Sequence, residues 1–225
     1  MLFSHINRVY IVRLLSEFFD SKVCPMSLFP KIPIALQSLV LWGIFSIPAY
    51  AMDINGIKIQ DTIHAYGEQP ELTLNGASVR KAYLFVDVYI GSLYLEQTYT
   101  DAEAIFNDDG YKRMSFYMLR NVRGKRIATA LKDAMQVNLS IEEVDSFEKE
   151  FSLLIKYMDR TMKEGEEGVV EYIPGKGSKI ITGNEVKGII PGKAFFNAIL
   201  TSWIGKQPVS SVMKQELLGN LNGSD

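Results

Sequence analysis

Arg80 is the side chain on which chemistry in this sequence would turn. It stands between Asn75-Gly76, a dipeptide suited to a tight turn, and the apolar stretch Ala82–Glu96, AYLFVDVYIGSLYLE. A guanidinium is always charged and presents a planar fork of donors, so inside a lipophilic cleft it would hold a carboxylate or phenolate strongly. At a surface the same group would pair with an acid such as Asp87. Spacing alone leaves these two arrangements open.

Other chemistry is removed by what the chain lacks. Beyond the N-terminal segment His64 is the one histidine, which excludes His-based metal clusters and a Ser-His-Asp triad, and His64 itself reads as a loop or surface residue. Gly175-Lys176-Gly177-Ser178 lacks the spacing that cradles phosphates and reads as a hairpin turn. The acid pairs Glu142/Glu143 and Glu166/Glu167 fall in a helix first turn and a loop, where water solvates them. Neither a metal nor a cofactor is expected.

The composition is that of a globular protein, with 47% apolar residues and 24 basic against 26 acidic side chains. The charges are balanced and dispersed, so nucleic acid is not an expected partner. The run Ile32–Pro48 follows Lys31 and leads into Ala49-Tyr50-Ala51, small residues at the −3 and −1 positions of a cleavage site. That pattern is read as a secretory signal peptide, with residues 1–25 as an upstream extension explained by a start at Met26. Residues 1–51 are thus expected to be removed and 52–225 to form a single domain in the periplasm or outside the cell. Cleavage would remove four cations and two acids, moving the net charge from −2 to −4, and would remove Cys24, the only cysteine. The domain must then hold together without a disulfide.

The elements that would position Arg80 follow from periodicity. Ile54, Ile57 and Ile59 begin a strand, and Leu72-Thr73-Leu74 forms another that stops at Asn75-Gly76. Ala82–Glu96 reads as one long strand, with Tyr83, Phe85, Asp87 and Tyr89 on one face and a bend at Gly91. A helical turn at Asp101–Asn107 precedes a strand at Tyr111–Leu119. Apolar residues then recur at helical spacing from Ile127 to Met135 and from Ile141 to Met158, and Ser140 with Glu143 forms a capping box for the second helix. Val169–Ile173, Lys179–Thr182 and Glu185–Ile190 form a meander, Pro191 starts a helix that ends at Gly205, and Ser210–Leu218 is a last helix. Strand blocks joined by hairpin-length turns and interleaved with helices argue an α+β fold, an antiparallel sheet with helices on one face.

Four blocks in this order resemble the chalcone isomerase superfamily, in particular its bacterial exported branch. They are Leu74–Arg80, Val86–Leu95, Met118-Leu119-Arg120 with the helix after it, and Gly188–Gly205, supported by Tyr172–Gly177. The resemblance implies an open-faced β-sandwich, a large antiparallel sheet covered by helices. In the plant isomerases an arginine holds a phenolate while threonine, tyrosine and asparagine organise a water near the ketone. Carried over by the resemblance, Arg80 matches the arginine, Tyr89 stands at the threonine, and Glu185 falls at the second threonine. The tyrosine and asparagine positions become Ile127 and Ala134, seven apart and so on one helix face. Neither can donate a hydrogen bond, and losing one such donor typically costs roughly 3–4 kcal/mol of catalytic stabilisation.

The expected function is therefore binding of a fatty acid or similar lipophilic anion in an apolar cleft, with Arg80 as anchor, Tyr89 and Tyr94 as phenols at the mouth and Ile127 and Ala134 as wall. Non-catalytic members of the superfamily bind fatty acids through an arginine and a tyrosine, and Arg80 with Tyr89 resembles that pair. Two alternatives stand beside it: an isomerase acting on a chalcone-like enone, and an envelope interaction module whose cleft is filled by its own Tyr and Phe side chains.

Overall fold

Side-chain alternation along the strands decides which face of each is buried, and the chain order follows from it. The structure is a computed structural model and describes residues 51–65, 70–83 and 85–220. The expected leader lies outside the described residues, except that Ala51 begins the first strand. β1 (Ala51–Ile54) and β2 (Ile57–Gln60) form a two-stranded hairpin. There follow β3 (Thr62–His64), β4 (Glu71–Ala82), β5 (Val86–Leu95), α1 (Ala102–Asn107) and β6 (Lys112–Met118). β7 (Val122–Arg123) leads directly into α2 (Gly124–Gln136), then α3 (Ile141–Ser146), α4 (Glu148–Tyr157) and β8 (Thr161–Met162), which pairs with β7. The meander β9 (Glu167–Ile173), β10 (Gly177–Thr182) and β11 (Glu185–Pro191) is followed by α5 (Lys193–Ile204) and α6 (Ser211–Leu217).

Seven strands pair antiparallel in the order β11-β10-β9-β6-β5-β4-β3, an α+β sheet of the expected class. One face carries Leu93 and Leu95, Met114, Phe116 and Met118, Val170 and Tyr172, and Ile180, and these pack beneath the helices in the main core. α5 lies on β9 and β10, α6 on β4 and β5, and α4 on β11. α2 rests on α5 and α4 rather than on the sheet, a stacking that leaves room beneath it. The opposite face, with Leu72, Ala77, Ile90 and Tyr94, is covered at the β4–β5 end by Ile57 and Ile59 of the β1–β2 hairpin. Among the described residues both cores are built within residues 52–218.

Several helix starts follow their local signals. The Asp101 carboxylate accepts from the Ala104 amide at 2.9 Å, and the Ser210 hydroxyl accepts from the Met213 amide at 3.2 Å. The Ser140–Glu143 capping box is present in both directions. The helix expected from Ile141 to Met158 is broken at Phe147, which leaves helical geometry and packs its ring 5.6 Å from that of Phe195.

The largest correction concerns the first hairpin. Asn75-Gly76 is not a turn: β4 runs through it, with a shift of register between Leu74 and Gly76. Buried Asn75 donates to the carbonyls of Leu217 (2.7 Å) and Tyr99 (3.0 Å) and accepts from the Tyr99 amide (2.7 Å). Gly76 admits the end of α6, because a Cβ there would stand 2.0 Å from the Glu216 carbonyl oxygen. β4 ends instead at Ala82 and β5 starts at Val86, with Tyr83 at φ 51°, so Ala82–Glu96 is not one strand. Gly91 makes no bend, since β5 and β6 pair without interruption from Tyr89 to Leu95. Nor does Pro191 start a helix; it ends β11, and Gly192 at φ 91° turns the chain into α5. Among the described residues no helix is long and apolar enough to cross a membrane.

Candidate functional site

The room beneath α2 is a cleft of about 1350 Å³ between that helix, the β4–β6 end of the sheet and the C-terminal half of α5. Ligand sites are typically ~300–1000 Å³, so the space suffices for an extended organic molecule with water beside it. Phe116, Met118, Met158 and Met162 contribute to its apolar lining.

The arrangement of its polar groups starts from the β4–β5 register. Arg80 and Tyr89 are cross-strand partners and share a face of the sheet. Between Arg80 and Lys81 the register shifts by one residue, so that Lys81 becomes the partner of Asp87. The Lys81 ammonium stands 3.7 Å from the Asp87 carboxylate, and the Asn55 amide donates to it at 3.3 Å. The arrangement that paired Arg80 with Asp87 is therefore not found. Half-buried Arg80 donates to the carbonyl of Lys81, and among the described residues no carboxylate lies within ion-pair distance of it.

Tyr89 sits in an aromatic chain. Its ring meets Phe116 edge-on at 5.5 Å, and Phe116 lies 5.1 Å from Trp203. The Trp203 indole N–H donates to the Tyr89 hydroxyl at 2.8 Å. Burial pushes the Tyr89 phenol up to about 12, against the opposing effects of the Trp203 bond and the Arg80 charge. It thus stays protonated near neutrality. Because its oxygen accepts from Trp203, its own hydrogen remains to be donated, and no acceptor for it is found among the described residues.

Ile127 and Ala134 both line the cleft from α2, half-buried and one above the other. The structure thus brings Arg80, Tyr89, Ile127 and Ala134 to one cavity. Tyr94 is a correction. β5 pairs without a break from Tyr89 to Tyr94, and residues five apart on a strand point to opposite faces. Tyr94 donates to the Gln60 carbonyl at 3.0 Å under the β1–β2 hairpin, where it lines a separate, polar cavity of about 790 Å³ with Arg113 and Ser115. Glu185 is likewise elsewhere, exposed at the start of β11 and bound to Lys187 at 2.7 Å. His64 is exposed on β3. Glu143 serves the capping box, and Glu166 bonds Arg160 at 2.6 Å and the Lys163 amide at 2.8 Å, so these acids are structural.

Two participants were not found by reading the sequence. In the sequence Trp203 stands out only as a helix residue and as part of the Gly188–Gly205 block, because its bond to Tyr89 spans 114 positions. Ser202 lines the cleft fully buried, and its hydroxyl has no hydrogen-bond partner among the described residues. Other polar lining groups are committed: the Thr129 hydroxyl donates to the Lys125 carbonyl at 3.0 Å, and the Asn121 side-chain oxygen accepts from the Glu164 amide at 2.9 Å. Among its apolar walls the cleft therefore offers the Arg80 guanidinium and the hydroxyls of Tyr89 and Ser202, while the exposed cations Arg120, Arg123, Lys125 and Arg126 stand along its lining. Such a set can hold an anion, but α2 supplies no donor at the Ile127 and Ala134 positions to stabilise a developing charge.

The model of a family described as chalcone isomerase-like matches residues 51–219. No curated protein matches this sequence. Among solved structures, a fatty-acid binding protein of Arabidopsis thaliana superposes with a TM-score of 0.60 at 13% identity, over 76% of this chain and 97% of that one. At that identity the likeness is one of fold.

Proposed function

The chain belongs to the chalcone isomerase-like family, and on that premise we propose that it is an exported, non-catalytic protein that binds a fatty acid or similar lipophilic anion. The observation that carries this reading is Arg80, set beside the protonated Tyr89 at a large apolar cleft with no acid among the described residues to neutralise it. A carboxylate would accept from the guanidinium and the Tyr89 hydroxyl while its chain lies against Phe116, Met118 and Ile127. Each buried methylene adds about 0.8 kcal/mol, so a long acyl chain binds well with few polar anchors. The shared fold with a fatty-acid binding protein supports the reading.

Mass spectrometry of lipids extracted from the purified protein tests it. Recovery of fatty acids, with calorimetric affinity lost at least about tenfold in Arg80→Ala, is the expected result. Consistent recovery of no lipid and no measurable acyl-chain affinity would reject it. The unpartnered Ser202 hydroxyl favours a second reading, in which it supplies a donor for isomerisation of an enone. A spectrophotometric assay with a chalcone separates the two, since turnover above the spontaneous rate and lost in Arg80→Ala would reverse the ranking. The open cavity beside Arg80 argues against a module whose cleft is filled by its own side chains. Export is tested by sequencing the N-terminus of protein recovered from the native host's cell envelope: a start at Met52 is expected, and an intact Met1 would overturn it.

A further inference from the structure

Two segments at this cleft break local rules of folding. The loop between β4 and β5 has the sequence Tyr83-Leu84-Phe85, three large apolar residues where turns favour glycine, asparagine, aspartate or proline. Tyr83 holds φ at 51°, uncommon for a bulky side chain, and is 84% exposed; Phe85 is 81% exposed. These are the most exposed large hydrophobic residues among those described.

The second segment is the start of α2. Arg123 is the N-cap residue, Lys125 and Arg126 follow in the first turn, and that turn contains no acid. The N-terminus of a helix carries partial positive charge, so cations there oppose the helix. Arg120 adds a fourth exposed cation just before β7. All four line the cleft together with Tyr83 and Arg80, against the single acid Asp133, in a chain whose net charge is −2. Positions where local preference is overridden mark function more often than chance.

We infer that this rim docks on an anionic lipid bilayer. Tyr83 and Phe85 lie in the interface, the depth at which aromatic rings are favoured, and Arg120, Arg123, Lys125 and Arg126 face the charged headgroups. The mouth of the cleft is then held against the membrane, and an amphipathic anion passes between the two without crossing water. Exposed aromatic rings beside an apolar cleft favour a bilayer over a soluble polyanion, which would need only the cations. Docking goes beyond the ligand reading and does not depend on it.

Vesicle flotation with the protein as processed by its native host, its N-terminus sequenced beforehand, tests the inference. Vesicles would be phosphatidylcholine alone, or phosphatidylcholine with phosphatidylglycerol at roughly three to one. Binding to the mixed vesicles, absent on neutral ones and falling as salt rises, is expected. A cation near an anionic surface contributes roughly fivefold, so Arg120→Glu/Arg123→Glu/Arg126→Glu should lower partitioning by about a hundredfold or more. Phe85 does not line the cleft; Phe85→Ser should weaken vesicle binding severalfold and leave fatty-acid affinity by calorimetry unchanged. Equal binding to both vesicle types, no binding to either, or a charge-reversed variant that floats like the parent would overturn docking. Binding to heparin with vesicles ignored would also overturn it. The flotation results do not bear on whether the cleft holds a fatty acid, which the calorimetry reads separately.

Discussion

The Trp203 indole N–H donates to the Tyr89 hydroxyl oxygen at 2.8 Å, joining α5 to β5 across 114 residues. This bond orients the phenol. With its oxygen engaged, the Tyr89 hydrogen can be directed at a ligand beside Arg80, and burial keeps that hydrogen in place.

Tyr89→Phe should keep the ring contacts with Phe116 and lose the hydroxyl. Trp203, 2% exposed, would then hold an unpartnered N–H, a cost of about 1–3 kcal/mol. Chemical denaturation should show that loss, and calorimetry should show fatty-acid affinity lower by about tenfold. Unchanged stability would mean that Trp203 finds another acceptor.

Alkaline stability depends on the two buried phenols. Tyr89 and Tyr94 are both pushed up to about 12, chiefly by burial, from an ordinary 10.0. Below the ordinary value both phenols are protonated, folded or unfolded, and their contribution is fully present. As pH rises from 10 towards 12 the unfolded chain releases protons that the folded chain keeps, so stability falls. The slope reaches about 1.4 kcal/mol per pH unit for each tyrosine. Urea midpoints across that window should drop, and Tyr89→Phe should flatten the slope by about half; an unaltered slope in the variant would contradict the assignment.

Ser202→Ala removes a buried hydroxyl that has no partner among the described residues. Stability should hold or rise by up to about 1 kcal/mol. If Ser202 serves the ligand, affinity falls severalfold in the same variant. A loss of stability above about 1 kcal/mol would show that the hydroxyl is satisfied in solution.

Asn75→Ala should destabilise by about 3 kcal/mol, because three hydrogen bonds joining β4 to Leu217 and Tyr99 disappear at a buried site. Fatty-acid affinity of the folded fraction should stay the same, since Asn75 does not line the cleft. Thermal unfolding followed by circular dichroism, with calorimetry on the folded protein, checks both parts.

Much of the fold is legible locally. The short strands Val169–Ile173 and Lys179–Thr182, the Ser140–Glu143 box and the apolar spacing of α2 each rest on signals within a few residues, and each agrees with the structure. The same α2 spacing placed Ile127 and Ala134 on one face. Asn75-Gly76 was misread because its role is satisfied from Leu217 and Glu216, far along the chain. The break between β4 and β5 carries no turn signal, so it was hidden inside a strand pattern. Tyr94 could have been assigned from parity, being five residues from Tyr89, had the strand limits been known.

By itself the sequence determined residue types: a permanent cation, a helix face without donors, and alternating strands whose periodicity is local and additive. Tertiary structure alone decided which partner each polar group meets. The shift of register after Arg80 gives Asp87 to Lys81, and the packing of α5 on the sheet brings Trp203 to Tyr89. Those outcomes depend on register and on distances between segments far apart in the chain, and no local pattern encodes either.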